Sequence, residues 1–364
     1  MVKYAHNNVW GSVIMDNAFS DQEQKIKTYK TVCAKLGLVM CAYFICRILA
    51  GLTISYIFGE SSVGSGSAMQ YTLQTIVMLL FVYALPMVVT AMLFNSFNYY
   101  IRNPGTLEHL YKKPKRLAQK LGNFTAMYGM GLSVNLLTML MFFLISLISS
   151  RPDGGIELER HFEQIAVGIP QDLLSAFIMV FVMVIVAPIV EEFWVRGIMY
   201  DALKPYGYGM AIIISSLLFG LMHSSLQMLF YTTALGLALG YVRYATDSLL
   251  VVTILHMLIN AIAAGMIFLL SLTNITGGEH GLINTLSNIY IFAVLVLVVI
   301  GFIAFIKKIP KLKRYRITNN WDDVSTKKKL ALFFVSIPVI IMLVIAFDTH
   351  ANHLLLVKFL NTVR

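Results

Sequence analysis

The run PQDLLSAFIMVFVMVIVAPIVEEFWVRGIMY, residues 170–200, sets how the rest of the chain is read. From Leu173 to Val190 it holds no charged residue, and then Glu191, Glu192 and Arg196 follow before it ends. At about 1.5 Å per helical residue, some 20 apolar residues cross a hydrocarbon core roughly 30 Å thick. This run is longer than that and carries charge in its second half. Ionisable groups at membrane depth are costly, and their presence marks a functional site by default.

The remainder of the chain agrees with a membrane reading. Of 364 residues, 58% are hydrophobic and 13% charged, about half the charge of a soluble protein, which runs near 25%. Such a chain cannot cover a water-facing surface, so a soluble enzyme is excluded. Intrinsic disorder, which needs low hydrophobicity, is excluded too. The fold class expected is all-α, a polytopic transmembrane bundle of about 8–9 spans with a four-helix catalytic core. Candidate spans lie near 32–58, 70–97, 124–149, 170–200, 208–224, 227–244, 249–272, 285–306 and 330–349. They divide the chain into 1–169 (an N-terminal cytoplasmic segment and three accessory helices), 170–272 (the core) and 273–364 (accessory helices and a basic loop).

Loop charges orient the chain. Lys3, Lys25, Lys27 and Lys30 place the N-terminus in the cytoplasm, and loop 59–69, without Lys or Arg, outside. Loop 98–123, with Arg102, Lys112, Lys113, Lys115, Arg116 and Lys120, returns inside. Loop 150–169 is net acidic and falls outside, Lys204 and Arg243 inside, and 273–284 outside. The stretch 307–329 is strongly basic and again inside, so nine spans leave the C-terminus outside. The expected location is the cell membrane, multi-pass, with membrane lipid as a partner. The net charge of +10 follows from cytoplasmic loops facing anionic lipid, and no nucleic-acid partner is needed. Cys33, Cys41 and Cys46 share one apolar segment and form neither a disulfide framework nor a metal-ligand pattern. The first thirty residues show no cleavable signal peptide, and no internal repeat of the transporter kind is visible.

Among eight histidines only His223 and His256 fall inside spans, and Glu191, Glu192 and Arg196 join them there. Arg47 and Asp172 are the other oddities; the first is expected to snorkel or pair, the second to serve a span end. Glu192 and Arg196 are four apart, stacked on one helix face for an ion pair, with Glu191 turned about 100° away. His256 and Asn260 repeat the spacing on a second helix, and Phe219 and His223 on a third. Counted from the cytoplasmic ends at 1.5 Å per residue, Glu191, His223 and His256 lie about 20, 22 and 15 Å deep. Three helices thus bring their polar groups to one layer, more than interhelical adhesion requires.

A carboxylate beside imidazoles can deprotonate a water for peptide hydrolysis, while Asn260 and one histidine donate to the developing oxyanion. Equally, Glu191, His223 and His256 are three ligands for Zn²⁺ with a position left for water. Both arrangements satisfy the residues. A serine nucleophile is disfavoured, since Ser224 and Ser225 lie in no G-x-S-x-G context, and H-E-x-x-H is absent. Gly197 is open to two readings, close approach of a neighbouring helix or substrate and ordinary small-residue packing. Pro188 can kink the span and open its backbone but is common enough in membrane helices to be neutral. Trp194 and the methionines read as packing.

Glu191-Glu192-Phe193-Trp194-Val195-Arg196 matches E-E-x-x-x-R, Phe219 to His223 matches F-x-x-x-H, and His256 to Asn260 matches H-x-x-x-N. In this order the three resemble the motifs of the CPBP family, the CAAX proteases and bacteriocin-processing enzymes of the Abi group, over about 170–272. The resemblance implies an intramembrane endopeptidase acting on a membrane-embedded, lipidated or small precursor peptide. Carried over by position, Glu191 activates water with His223, His256 and Asn260 stabilise the oxyanion, and Glu192 and Arg196 hold the first carboxylate. It implies no certain cofactor, zinc being the one to consider, and the glutamate route is the preferred chemistry. The competing reading is an immunity or scaffold protein that binds a peptide or a membrane sensor kinase. Transport along the polar layer is disfavoured by the lack of repeats.

Overall fold

The computed structural model describes residues 6–58, 67–94, 128–129, 131–134, 136–137, 141, 169–223, 226–276, 281–312 and 324–350. The described residues contain helices and no strand. We label them α1 (His6–Phe58), α2 (Ala68–Leu93), α3 (Leu173–Tyr206), α4 (Tyr208–Leu221), α5 (Leu226–Thr246), α6 (Leu249–Ile275), α7 (Gly281–Leu312), α8 (Thr326–Phe334) and α9 (Ile337–His350). The chain is an all-α, multi-pass membrane protein.

Five described segments are long and apolar enough to span a bilayer: Gln22–Phe58, Ala68–Leu93, Leu173–Tyr206, Leu249–Ile275 and Gly281–Ala304. Most of the expected span at 124–149 falls outside the described residues. The expected span at 208–224 is a helix of 14 residues, about 21 Å long, which is shorter than the roughly 30 Å of a hydrocarbon core. The expected span at 330–349 is two helices, α8 and α9, bent by 69° at Val335–Ser336. Pro338, at the start of α9, has no N–H for the turn before it, which ends one helix and starts the next.

Asp172 begins α3 as its N-cap, accepting from the Ser175 N–H at 2.9 Å and from the Ser175 hydroxyl. These donors, the hydroxyl first, hold its carboxyl below the ordinary carboxylate range. At the other end of α3, Gly207 turns the chain into α4 with a φ of 132°, a region that favours glycine.

Two prolines shape the helices that reach the site. In α3 the backbone widens to π geometry over Val182–Val186, and the Ala187 N–H bonds to Val182 O rather than to Met183 O. In that register Met183 O would receive its bond from residue 188, which is proline and has no N–H. The freed carbonyl is taken by Asn260 Nδ2 of α6 at 2.9 Å. Pro188 is therefore more than neutral packing: it opens a backbone acceptor that docks α6 onto α3. A π turn also precedes Pro86 in α2, where Leu79–Ala84 is π-helical and Leu85 N–H bonds Leu80 O. Single π turns of this kind re-aim side chains and gather at functional sites.

The end of α4 has a similar problem and a similar solution. A helix that stops in the bundle leaves carbonyls without partners. Met222 O, just past α4, accepts from the Tyr43 hydroxyl at 2.9 Å and from Arg47 Nη1 at 2.8 Å, both on α1. Arg47 pairs, as one of its two expected roles required, and its partner is a backbone oxygen.

Elsewhere α1 is tied to the C-terminal helices. Tyr29 donates to Lys329 O at 3.0 Å, and Cys41 lies 3.5 Å from Pro338 O. Gly37 permits this contact, since a Cβ there would stand 2.6 Å from the backbone of both Pro338 and Val339. At Gly197, by contrast, an added Cβ meets only ordinary contacts at 3.5 Å, so no close approach depends on it. We expect Gly37→Ala to lower stability by about 1–3 kcal/mol, the usual penalty of overpacking. Gly51→Ala, which has open space around it, should shift stability by less than about 1 kcal/mol. Thermal unfolding of both variants in detergent checks the contrast; equal midpoints would mean that α1 and α9 do not pack as described.

Candidate active site

The charged centre is built on α3. Glu192 and Arg196, one turn apart, have no exposed surface, and Arg196 Nη1 lies 3.0 Å from Glu192 Oε1. The same oxygen accepts from His256 Nδ1 at 2.8 Å. Arg196 also donates to Gly236 O at 3.3 Å, and its guanidinium stands 4.5 Å over the Phe219 ring, a cation–π contact. Thus α4, α5 and α6 each supply one partner to a pair that the bundle interior could not otherwise hold.

Glu191 faces the other way, into a cavity of about 540 Å³. Its Oε1 accepts from the Tyr83 hydroxyl of α2 at 2.9 Å, and its Oε2 is 3.9 Å from His256 Nε2. His256 therefore bridges the two glutamates, one ring nitrogen to each. His223 lines the same cavity, its Nδ1 2.9 Å from Phe219 O one turn back. A carbonyl only accepts, so Nδ1 carries the proton, and Nε2 is the free acceptor of the neutral ring. Phe219 sits edge-on to both histidines, with centroids 5.0 and 5.5 Å away.

The structure brings all six expected residues to one centre and sorts them. Glu191, His223, His256 and Asn260 line the cavity, whereas Glu192 and Arg196 do not. Asn260 has one amide hydrogen on Met183 O and a second still available. Trp194 packs as expected, buried behind the site with its Nε1 donating to Thr90 Oγ1 at 2.8 Å.

Tyr83 was not among the expected residues. A tyrosine in an apolar span carries no charge to draw notice, and its partner is 108 positions away. The only local signal is the proline three residues later, with the π turn before it.

Both histidines engage Nδ1 with an acceptor, the pattern by which metal-binding imidazoles are often held. Even so, among the described residues no three His, Cys, Asp or Glu side chains converge closely enough to hold a metal ion.

Residues 173–262 match the family model of Rce1-like type II CAAX prenyl endopeptidases. The match runs from the start of α3 into α6 and contains all six expected residues. No curated protein and no solved structure shows significant similarity to the chain.

The buried pair has a measurable signature. Arg196→Met leaves Glu192 short of its cationic partner and should lower stability by about 3–5 kcal/mol. Adding Glu192→Met should recover most of that loss, because the stranded charge goes with it. Equal unfolding midpoints for the single and double variants would show that the pair is not buried.

Proposed function

The chain carries, at residues 173–262, an Rce1-like domain consistent with the CPBP intramembrane proteases, and we propose that it hydrolyses peptide bonds with a glutamate-activated water. One observation carries this reading: Glu191 is the carboxylate in the apolar cavity, held on one oxygen by Tyr83 and facing His256 with the other.

Water rests between Glu191 and the free Nε2 of His223. Glu191 removes a proton as the water oxygen attacks the carbonyl carbon of the scissile peptide. Negative charge then develops on the carbonyl oxygen. Asn260 offers its remaining amide hydrogen to it. His256, its ring held through Nδ1 by Glu192 at 2.8 Å, presents Nε2 to the same oxygen. Collapse of the intermediate breaks the C–N bond, and the proton held by Glu191 passes to the leaving nitrogen. The products are a carboxylate and an amine. Glu192 and Arg196 touch none of the reacting atoms; they position His256. Tyr83 positions Glu191.

Cell-membrane residence, a cytoplasmic N-terminus, and a peptide or membrane-protein substrate belong to the same proposal. A membrane sensor or peptide-signalling partner is compatible with it through the released peptide. The domain organisation proposed is the core at 170–272 flanked by accessory helices.

Glu191→Gln keeps shape and removes the base, so it should reduce cleavage by about 10²–10⁴-fold with the protein still folded and inserted. Comparative membrane proteomics of wild type and this variant reads the effect as peptides whose termini change. Unchanged peptides together with an unchanged cellular phenotype would favour the scaffold reading. Activity of the purified protein should also survive chelation; its loss, restored by zinc, would favour the metal route.

Tyr83→Phe removes one hydrogen bond to the carboxylate, a contribution of about 1.5 kcal/mol, or roughly tenfold in rate. The thermal midpoint should stay near that of wild type. A rate equal to wild type would remove Tyr83 from the site.

A further inference from the structure

The cavity extends from the site in one direction only. On α3 its walls are Glu191, Ala187, Met183, Val182 and Met179, all N-terminal to or at the first glutamate. On α2 they run from Tyr83 back to Tyr71, on α6 from His256 forward to Ala263, and on α5 from Leu235 back to Met228. With α3 and α6 antiparallel, these four directions are one direction in space. The rim is open: Met78 is 38% and Met228 37% exposed.

The opposite side is closed. Just past the glutamates, Trp194, Val195, Ile198, Met199 and Leu203 of α3 are buried, as are Leu249 and Val252 at the start of α6. Beyond this floor lie the ends that carry the basic residues. Lys204 follows Leu203, Arg243 is paired with Asp201 and Asp247, and Lys27 and Lys30 sit near the start of the first span. The mouth lies toward the ends of α1, α2, α3 and α6 that border 59–66, 150–169 and 277–280, stretches whose net charge is negative. Lys and Arg mark the cytoplasmic side.

We propose that this cavity receives an apolar peptide segment from the extracytoplasmic half of the membrane and is shut to the cytoplasm. Four methionines along it, Met78, Met179, Met183 and Met228, give adaptable apolar walls suited to varied side chains. From Met179 to Glu191 the channel spans 12 residues of α3, about 18 Å. An extended chain covers that distance in roughly five residues at 3.3 Å each. The inference rests on Glu191 being the reacting carboxylate only for what happens at its floor. The side of entry is independent of the chemistry.

Cysteine labelling tests it in the full-length protein. Thr75→Cys and Met228→Cys place thiols on two walls of the channel, and Lys27→Cys places one on the basic side. Intact cells are treated with a membrane-impermeant maleimide, against the wild-type baseline of Cys33, Cys41 and Cys46. T75C and M228C should be labelled above that baseline in intact cells, with K27C labelled only after permeabilisation. Among membrane peptides whose termini differ between wild type and E191Q, the cut ends should lie on the extracytoplasmic side.

Labelling of the channel variants only after permeabilisation, or cut ends on the cytoplasmic side, would overturn the proposal. So would channel thiols that stay unlabelled in folded, detergent-solubilised protein. If E191Q retains cleavage while the labelling holds, the role of Glu191 fails and the route of entry stands.

Discussion

A buried carboxylate and a buried guanidinium organise this molecule. Glu192 and Arg196 are closed off from their surroundings, and a charge left alone in such a place is untenable. Their neutral pairing is completed by a carbonyl from α5, a ring from α4 and an imidazole from α6. Those three partners fix how three helices pack around α3. The imidazole has a second nitrogen, and that nitrogen meets Glu191. The knot that makes the bundle tolerable in lipid is therefore also what aims His256 at Glu191.

Backbone irregularity is the second theme. Pro188 frees Met183 O, and the early end of α4 frees Met222 O; each is recaptured by a side chain from another helix. Unpaired carbonyls are costly in an apolar medium, so these captures stabilise the bundle and set register between helices distant in sequence. Asn260 serves both ends at once, with one amide hydrogen on the backbone and the other facing the cavity. The ionisable groups Glu191, His223 and His256 gather at one end of a mainly apolar cavity.

Much of this was legible from residues alone. The shortage of charge implied a membrane bundle, and the few charges within spans marked the site. The four-residue spacing of Glu192 and Arg196 implied their ion pair, and the turn of 100° separated Glu191 from it. These are local properties, set by neighbours on one helix. Tyr83 was not legible, nor was the role of Pro188, because an uncharged tyrosine and a proline in an apolar run look like packing. The bend between α8 and α9 was also hidden, since hydropathy counts residues and does not register a missing N–H.

Composition and helical periodicity established which groups lie in the membrane and which share a face, because both depend on contacts between residues close in the chain. Three features came from packing between helices far apart in sequence: the bridging of two glutamates by one imidazole, the hydrogen bond from Tyr83, and the closed floor beneath the cavity. No spacing along the chain encodes them. They arise where charges and carbonyls of one helix find partners on another.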